Sequence, residues 1–172
     1  MCDVLYQVKG TTSVAQLSLF ATYGDIKENG YSNAIEIIIG SGGNTKTEIR
    51  NYGGKTVVYP NKPNEEHPYH PLDKNCFKWF WISWCNKAVK FGHGCKVNFQ
   101  NASLSVEYNK EVNYVGITMY GTHRGDWVFY DSSKYTNIYK VRFTHKIKSN
   151  FMYQYYVICN VKCRRLSDKY SR

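Results

Sequence analysis

The chain has no apolar run approaching the roughly 18 residues that a membrane-spanning helix needs. It also lacks any stretch of a dozen residues with apolar side chains spaced three and four apart, so no long amphipathic helix is expected. The start, Met1-Cys2-Asp3-Val4, carries neither the charged nor the apolar region of a signal peptide, although a mature domain behind an added Met would read the same way. Proline is scarce. All four prolines fall in Pro60-Asn61-Lys62-Pro63 and His67-Pro68-Tyr69-His70-Pro71. Proline has no amide donor for a strand ladder, so residues 60–71 are expected to form a long surface loop. Acidic residues nearly vanish from the last quarter: residues 131–172 hold 10 basic and 2 acidic side chains, whereas residues 1–130 hold 13 and 11. The formal charge of +10 is therefore a basic appendage on a nearly neutral body.

What the chain has in quantity is aromatic side chains, with 16 Tyr, 8 Phe and 4 Trp in 172 residues. That length suits one domain with a sizeable core. Tyr fits half-buried strands, because its ring packs while its hydroxyl reaches water, and it is also enriched at binding surfaces. A period of two recurs in Ala15, Leu17, Leu19; in Ile35, Ile37, Ile39; in Leu104, Val106, Tyr108; in Val115, Ile117, Met119; and in Tyr139, Val141, Phe143. That spacing puts each set on one sheet face. Turn residues separate the runs, at Glu28-Asn29-Gly30, Ser41-Gly42-Gly43, Tyr52-Gly53-Gly54, Gly92-His93-Gly94 and Gly121 to Gly125. Phe77 to Trp84 is apolar on both faces, as a strand covered on both sides would be. The pattern predicts an all-β fold, an antiparallel, jelly-roll-like β-sandwich over residues 1–130. A basic C-terminal β-hairpin and tail, residues 131–172, would pack on the same domain.

Three stretches, in order, carry a family resemblance: Ile35-Glu36-Ile37-Ile38-Ile39-Gly40 with Asn44-Thr45-Lys46-Thr47-Glu48-Ile49-Arg50; then Phe80-Trp81-Ile82-Ser83-Trp84; then Tyr114-Val115-Gly116-Ile117 leading to Gly125-Asp126-Trp127. Over about Val4 to Tyr130 the chain resembles the domain named after farnesoic acid O-methyltransferase. It departs from that pattern at Ser41-Gly42-Gly43, where the family has a Trp, and at Cys85-Asn86-Lys87, where it has Asp-Gly. The resemblance implies a compact β-sandwich module of invertebrate proteins, often beside other extracellular domains. The name also implies methyl transfer from S-adenosylmethionine. A methyltransferase of the common kind holds that cofactor on a Gly-rich turn between a parallel strand and a helix. Here Thr45 to Arg50 reads as a strand instead, so no catalytic residue and no cofactor are expected.

Gly40-Ser41-Gly42-Gly43-Asn44-Thr45-Lys46-Thr47 is a near miss of a phosphate loop, and a hairpin turn explains it more simply. His67 and His70 beside Glu65 and Glu66 lie in the Pro-rich loop, not on the rigid elements a metal site needs, and no metal is expected. His93 and Cys95 likewise read as a turn followed by a disulfide or buried thiol. Tyr120-Gly121-Thr122-His123-Arg124-Gly125-Asp126 is read as a loop joining aromatic, cationic and acidic groups. Tyr120, His123, Arg124 and Asp126, with Asn44, Lys46 and Arg50, are the candidate ligand residues.

In Tyr139 to Thr144 the cations Lys140 and Arg142 alternate with apolar residues. Lys146, Lys148, Lys162, Arg164 and Arg165 extend the charge. Such a surface suits an acidic protein or an anionic glycan, with nucleic acid less favoured. Six cysteines fit an oxidising compartment, and Cys76, Cys85, Cys95, Cys159 and Cys163 are the disulfide candidates. Asn101-Ala102-Ser103 is a glycosylation sequon if the chain is secreted. The expected function is a secreted, lectin-like or effector recognition module. The alternatives are the methyltransferase and a cytoplasmic interaction protein with reduced thiols. Ligand identity, disulfide pairing and oligomeric state are not legible.

Overall fold

A computed structural model describes residues 3–10, 14–21, 34–51, 56–60, 69–119, 125–130, 137–143 and 156–160, with side chains up to residue 117 and again over 125–130. Twelve strands are found among them: β1 (Asp3–Gly10), β2 (Ala15–Phe20), β3 (Ile35–Gly40), β4 (Lys46–Asn51), β5 (Thr56–Tyr59), β6 (Lys78–Ser83), β7 (Ala88–His93), β8 (Leu104–Glu107), β9 (Tyr114–Met119), β10 (Gly125–Tyr130), β11 (Asn137–Phe143) and β12 (Tyr156–Asn160). They form two six-stranded sheets. Sheet I has the order β11-β10-β1-β6-β7-β8 and sheet II the order β12-β9-β2-β3-β4-β5. Every pairing is antiparallel. The all-β sandwich expected from the period of two is therefore present.

One core lies between the sheets. Sheet I contributes Tyr6, Val8, Phe80, Ile82, Val89, Phe91, Trp127 and Phe129; sheet II contributes Leu17, Leu19, Ile35, Ile37, Ile39 and Ile49. Each fully buried side chain of this size adds roughly 1.5–3 kcal/mol. Tyr6 stands at the centre of the aromatic part, its ring centroid 5.7–5.8 Å from those of Phe80, Trp127 and Phe129.

The two outward faces differ. On sheet II the residues pointing away from the core, Gln16, Ser18, Glu36 and Ile38, are themselves buried, and the Gln16 amide donates to the Glu36 carboxylate. On sheet I, Trp81 is buried on the outward face but Phe77 is 36% exposed, and Trp79 is half-buried. The expectation that β6 is covered on both sides thus holds at Trp81 and fails toward Phe77.

Two further expectations change. Among its described residues the segment after residue 130 supplies two strands, and these do not pair with each other. Strand β11 extends sheet I along β10, and β12 extends sheet II along β9. The open ladders of β10 and β9 offer backbone partners on both sheets, so β11 and β12 each complete one sheet edge instead of pairing as a hairpin. Gly92 also lies inside β7, not in a turn. A Cβ there would overlap the Trp81 indole, so glycine at this site answers to side-chain packing across the sheet.

The Gly-rich turn after β3 is a hairpin connection. Gly40, Gly42, Gly43 and Asn44 all have positive φ, at 85°, 60°, 72° and 67°. A left-handed run of this kind reverses the chain, and β4 returns antiparallel to β3. A Cβ at Gly40 would also lie 2.8 Å from Leu72 Cδ1.

Candidate binding surface

The outward face of sheet I can be built row by row from its register. Asp126 on β10 pairs with Lys9 on β1, and with Arg142 on β11 across the other edge. In the next row of this face, Val128 lies between Lys140 and Gln7, and Gln7 pairs onward with Trp79 on β6. The row after that holds Tyr130, Leu5, Trp81 and Gly92. Alternation along β1, β6, β7 and β10 brings their residues in these rows to one face, because side chains two apart share a face.

Contacts among them are specific. Lys9 Nζ lies 3.3 Å from Asp126 Oδ2 and 5.0 Å from the centre of the Phe77 ring. The Trp79 and Tyr130 rings are 4.6 Å apart and tilted by 38°. Tyr130 donates its hydroxyl to Gln7 Oε1 at 2.7 Å, and partial burial raises its pKa. Further along, Trp81 meets Phe99 edge-on, and Phe99 is 47% exposed. The Lys90 ammonium donates to the Phe99 carbonyl at 3.4 Å. The result is a band of part-exposed rings bordered by cations, with an amide and a carboxylate among them.

The expected ligand residues divide between the sheets. Asp126 is on this face, in strand β10 and not in a loop. Asn44, Lys46 and Arg50 belong to the β3–β4 turn and strand of sheet II. Asn44 is buried and committed: its side chain donates to Leu72 O at 2.8 Å and accepts from Leu72 N at 3.0 Å. Arg50 binds Glu48 at 2.8 Å, and Lys46 is exposed. Tyr120, His123 and Arg124 lie outside the described residues, as do Lys146, Lys148, Lys162, Arg164, Arg165 and Cys163. Lys140 and Arg142 are placed by backbone register alone, and Cys159 lies in β12. Cys76 and Cys95, expected in disulfides, are free and exposed thiols instead. Asn101 is exposed in a short 3-10 turn, Phe99–Asn101.

A second polar cluster closes the sandwich end near β5. Thr47 Oγ1 and Tyr69 Oη are 2.8 Å apart, and Tyr69 Oη is 2.9 Å from His93 Nε2. His93 also packs against Tyr59, Phe80 and Phe91, at ring distances of 5.2–5.8 Å. One edge of the imidazole reaches solvent, yet desolvation by these rings lowers its pKa to about 4. Burial raises that of Tyr69, and the Thr47 hydrogen bond offsets part of the rise. His70 Nδ1 is 3.1 Å from the Asn44 carbonyl oxygen, which gives it a structural tie; His67, Glu65 and Glu66 lie outside the described residues. This cluster clasps residues 69–73 to the sandwich.

The residues that sequence reasoning passed over are Gln7, Lys9, Phe77, Trp79 and Tyr130. The alternation of Phe77, Trp79 and Trp81 was legible, but the strand order that brings β1 between β10 and β6 was not.

Fold and surface together define a two-sheet antiparallel β-sandwich with one aromatic, cation-bordered outer face. Residues 23–133 match the family described as farnesoic acid O-methyl transferase, and the chain belongs to that family. No curated protein and no solved structure matches it.

Proposed function

We propose that this protein is a non-catalytic recognition module, secreted and lectin-like, that binds an anionic macromolecule through a basic surface on and beyond β11. The observation that carries the reading is the register of β11. It makes Lys140 and Arg142 the backbone partners of Val128 and Asp126, which supports a basic edge beside the aromatic face of sheet I. A one-sided cationic surface attracts polyanions over about a Debye length and does so less at high salt. Against methyl transfer stands the local geometry of the Gly-rich turn. It joins two antiparallel strands, whereas a dinucleotide-type cradle needs a turn leading into a helix.

Secretion is supported by the even number of cysteines, six, and by the exposure of Asn101 within its sequon. The free thiols of Cys76 and Cys95 weigh toward a reducing compartment. Mass spectrometry of natively purified protein after alkylation separates the two. A blocked Cys85 fits secretion, and six alkylated thiols fit a cytoplasmic interaction protein.

The test of function replaces Lys140, Arg142, Lys146 and Lys148 together by Glu. The variant is expected to leave a heparin column at clearly lower salt than the wild type, and unchanged retention would remove the basic surface from the account. Calorimetric titration with S-adenosylmethionine is expected to give no binding heat. A saturating heat at micromolar ligand would favour the methyltransferase.

A further inference from the structure

We infer that the band formed by Phe77, Trp79, Tyr130, Gln7, Lys9 and Asp126 is a subsite for one acidic sugar unit, a uronate or a sulfated hexose, of the polyanion. The inference rests on the recognition reading above and names the chemical class that reading leaves open.

Two parts of the site argue for it. The first is apolar. Phe77 is 36% exposed, and Trp79 and Tyr130 are half-buried on a face whose counterpart on sheet II is closed at Gln16, Ser18 and Glu36. A sugar ring presents one face of C–H bonds, and an aromatic ring is the surface that such a face covers with little loss of hydration.

The second part is polar. Lys9 lies over the Phe77 ring and 3.3 Å from Asp126, and a carboxylate or sulfate arriving at that ring meets its ammonium. Gln7 and Asp126 beside it offer groups to the sugar hydroxyls: Gln7 already accepts from the Tyr130 hydroxyl, and Asp126 supplies an acceptor. That acceptor decides between polyanions. A single-stranded nucleic acid brings few hydroxyl donors to pair with such acceptors. A glycan brings hydroxyls at every ring. Charge, ring surface and acceptor thus converge on an acidic glycan.

The experiment titrates the full chain, followed by tryptophan fluorescence, with a heparin tetrasaccharide, with inorganic polyphosphate and with a single-stranded oligonucleotide. Wild type and the variants Phe77→Ala and Lys9→Gln are compared, both substitutions being at the surface, with circular dichroism to confirm the fold. The expected result is about tenfold weaker tetrasaccharide binding for each variant, with polyphosphate binding nearly unchanged for Phe77→Ala. Wild-type affinity of Phe77→Ala for the tetrasaccharide would overturn the subsite while leaving the basic-surface reading in place. Tighter binding of the oligonucleotide than of the tetrasaccharide would overturn the choice of glycan. Failure of the wild type to bind any of the three would remove the subsite and the recognition reading together.

Discussion

Gly92 shows how a single residue can misdirect a reading of the chain. Flanked by His93 and Gly94, it reads as a turn, yet β7 runs through it because the Trp81 indole occupies the space of its missing side chain. Gly92→Ala is expected to cost about 1–3 kcal/mol, since overpacking forces the indole or the strand to shift. A lowered midpoint in urea unfolding would record this, and an unchanged midpoint would mean that the indole has room to move.

At His93 the relevant variable is pH. The fold favours the neutral imidazole, with a pKa of about 4 against roughly 6.5 in the unfolded chain. Between these values the unfolded state binds the extra proton, so stability is full above about pH 6.5 and falls as pH drops toward 4. Thermal unfolding of wild type and His93→Gln at pH 7 and pH 4.5 should show a smaller acid loss in the variant. Equal losses would assign the acid sensitivity to other groups. Neither the Trp81 contact nor the rings around His93 can be read from sequence, because both arise between segments paired only in the fold.

Among the elements, the β3–β4 turn was the most legible. Its glycines predicted a reversal, Thr45 to Arg50 predicted the returning strand, and positive φ at four residues is the physical reason for both. The role of Asn44 was not legible. Its amide holds both the amide and the carbonyl of Leu72, 28 residues away, and so clamps the loop before β6. Asn44→Gly keeps the left-handed conformation but loses both bonds, and is expected to cost about 1–3 kcal/mol. Denaturant midpoints measure it, and a neutral result would mean that the other ties of the loop, Tyr69 to Thr47 and His70 to the Asn44 carbonyl, suffice to hold it. Strand β1 was passed over although Val4, Tyr6 and Val8 alternate, and with it went the pairing that assembles the outer face of sheet I. Long-range register depends on which strands meet, and alternation within one strand does not encode that.

For the whole molecule, the sequence divides into a nearly neutral body and a basic last quarter, and the two strands described in that quarter, β11 and β12, extend opposite sheets of the sandwich. Truncation after Tyr130 would bare the ladders of β10 and β9, and exposed edges pair with other chains. The truncated protein is expected to run as oligomer or aggregate in size-exclusion chromatography; a monodisperse monomer would show that the first ten strands close by themselves.

The central claim concerns what the molecule does with its open face, and a glycan array using the intact chain addresses it most directly. Signal confined to sulfated or uronate-bearing glycans, fading as salt is raised, is the predicted outcome. Binding restricted to neutral glycans, or none to any glycan, would contradict it.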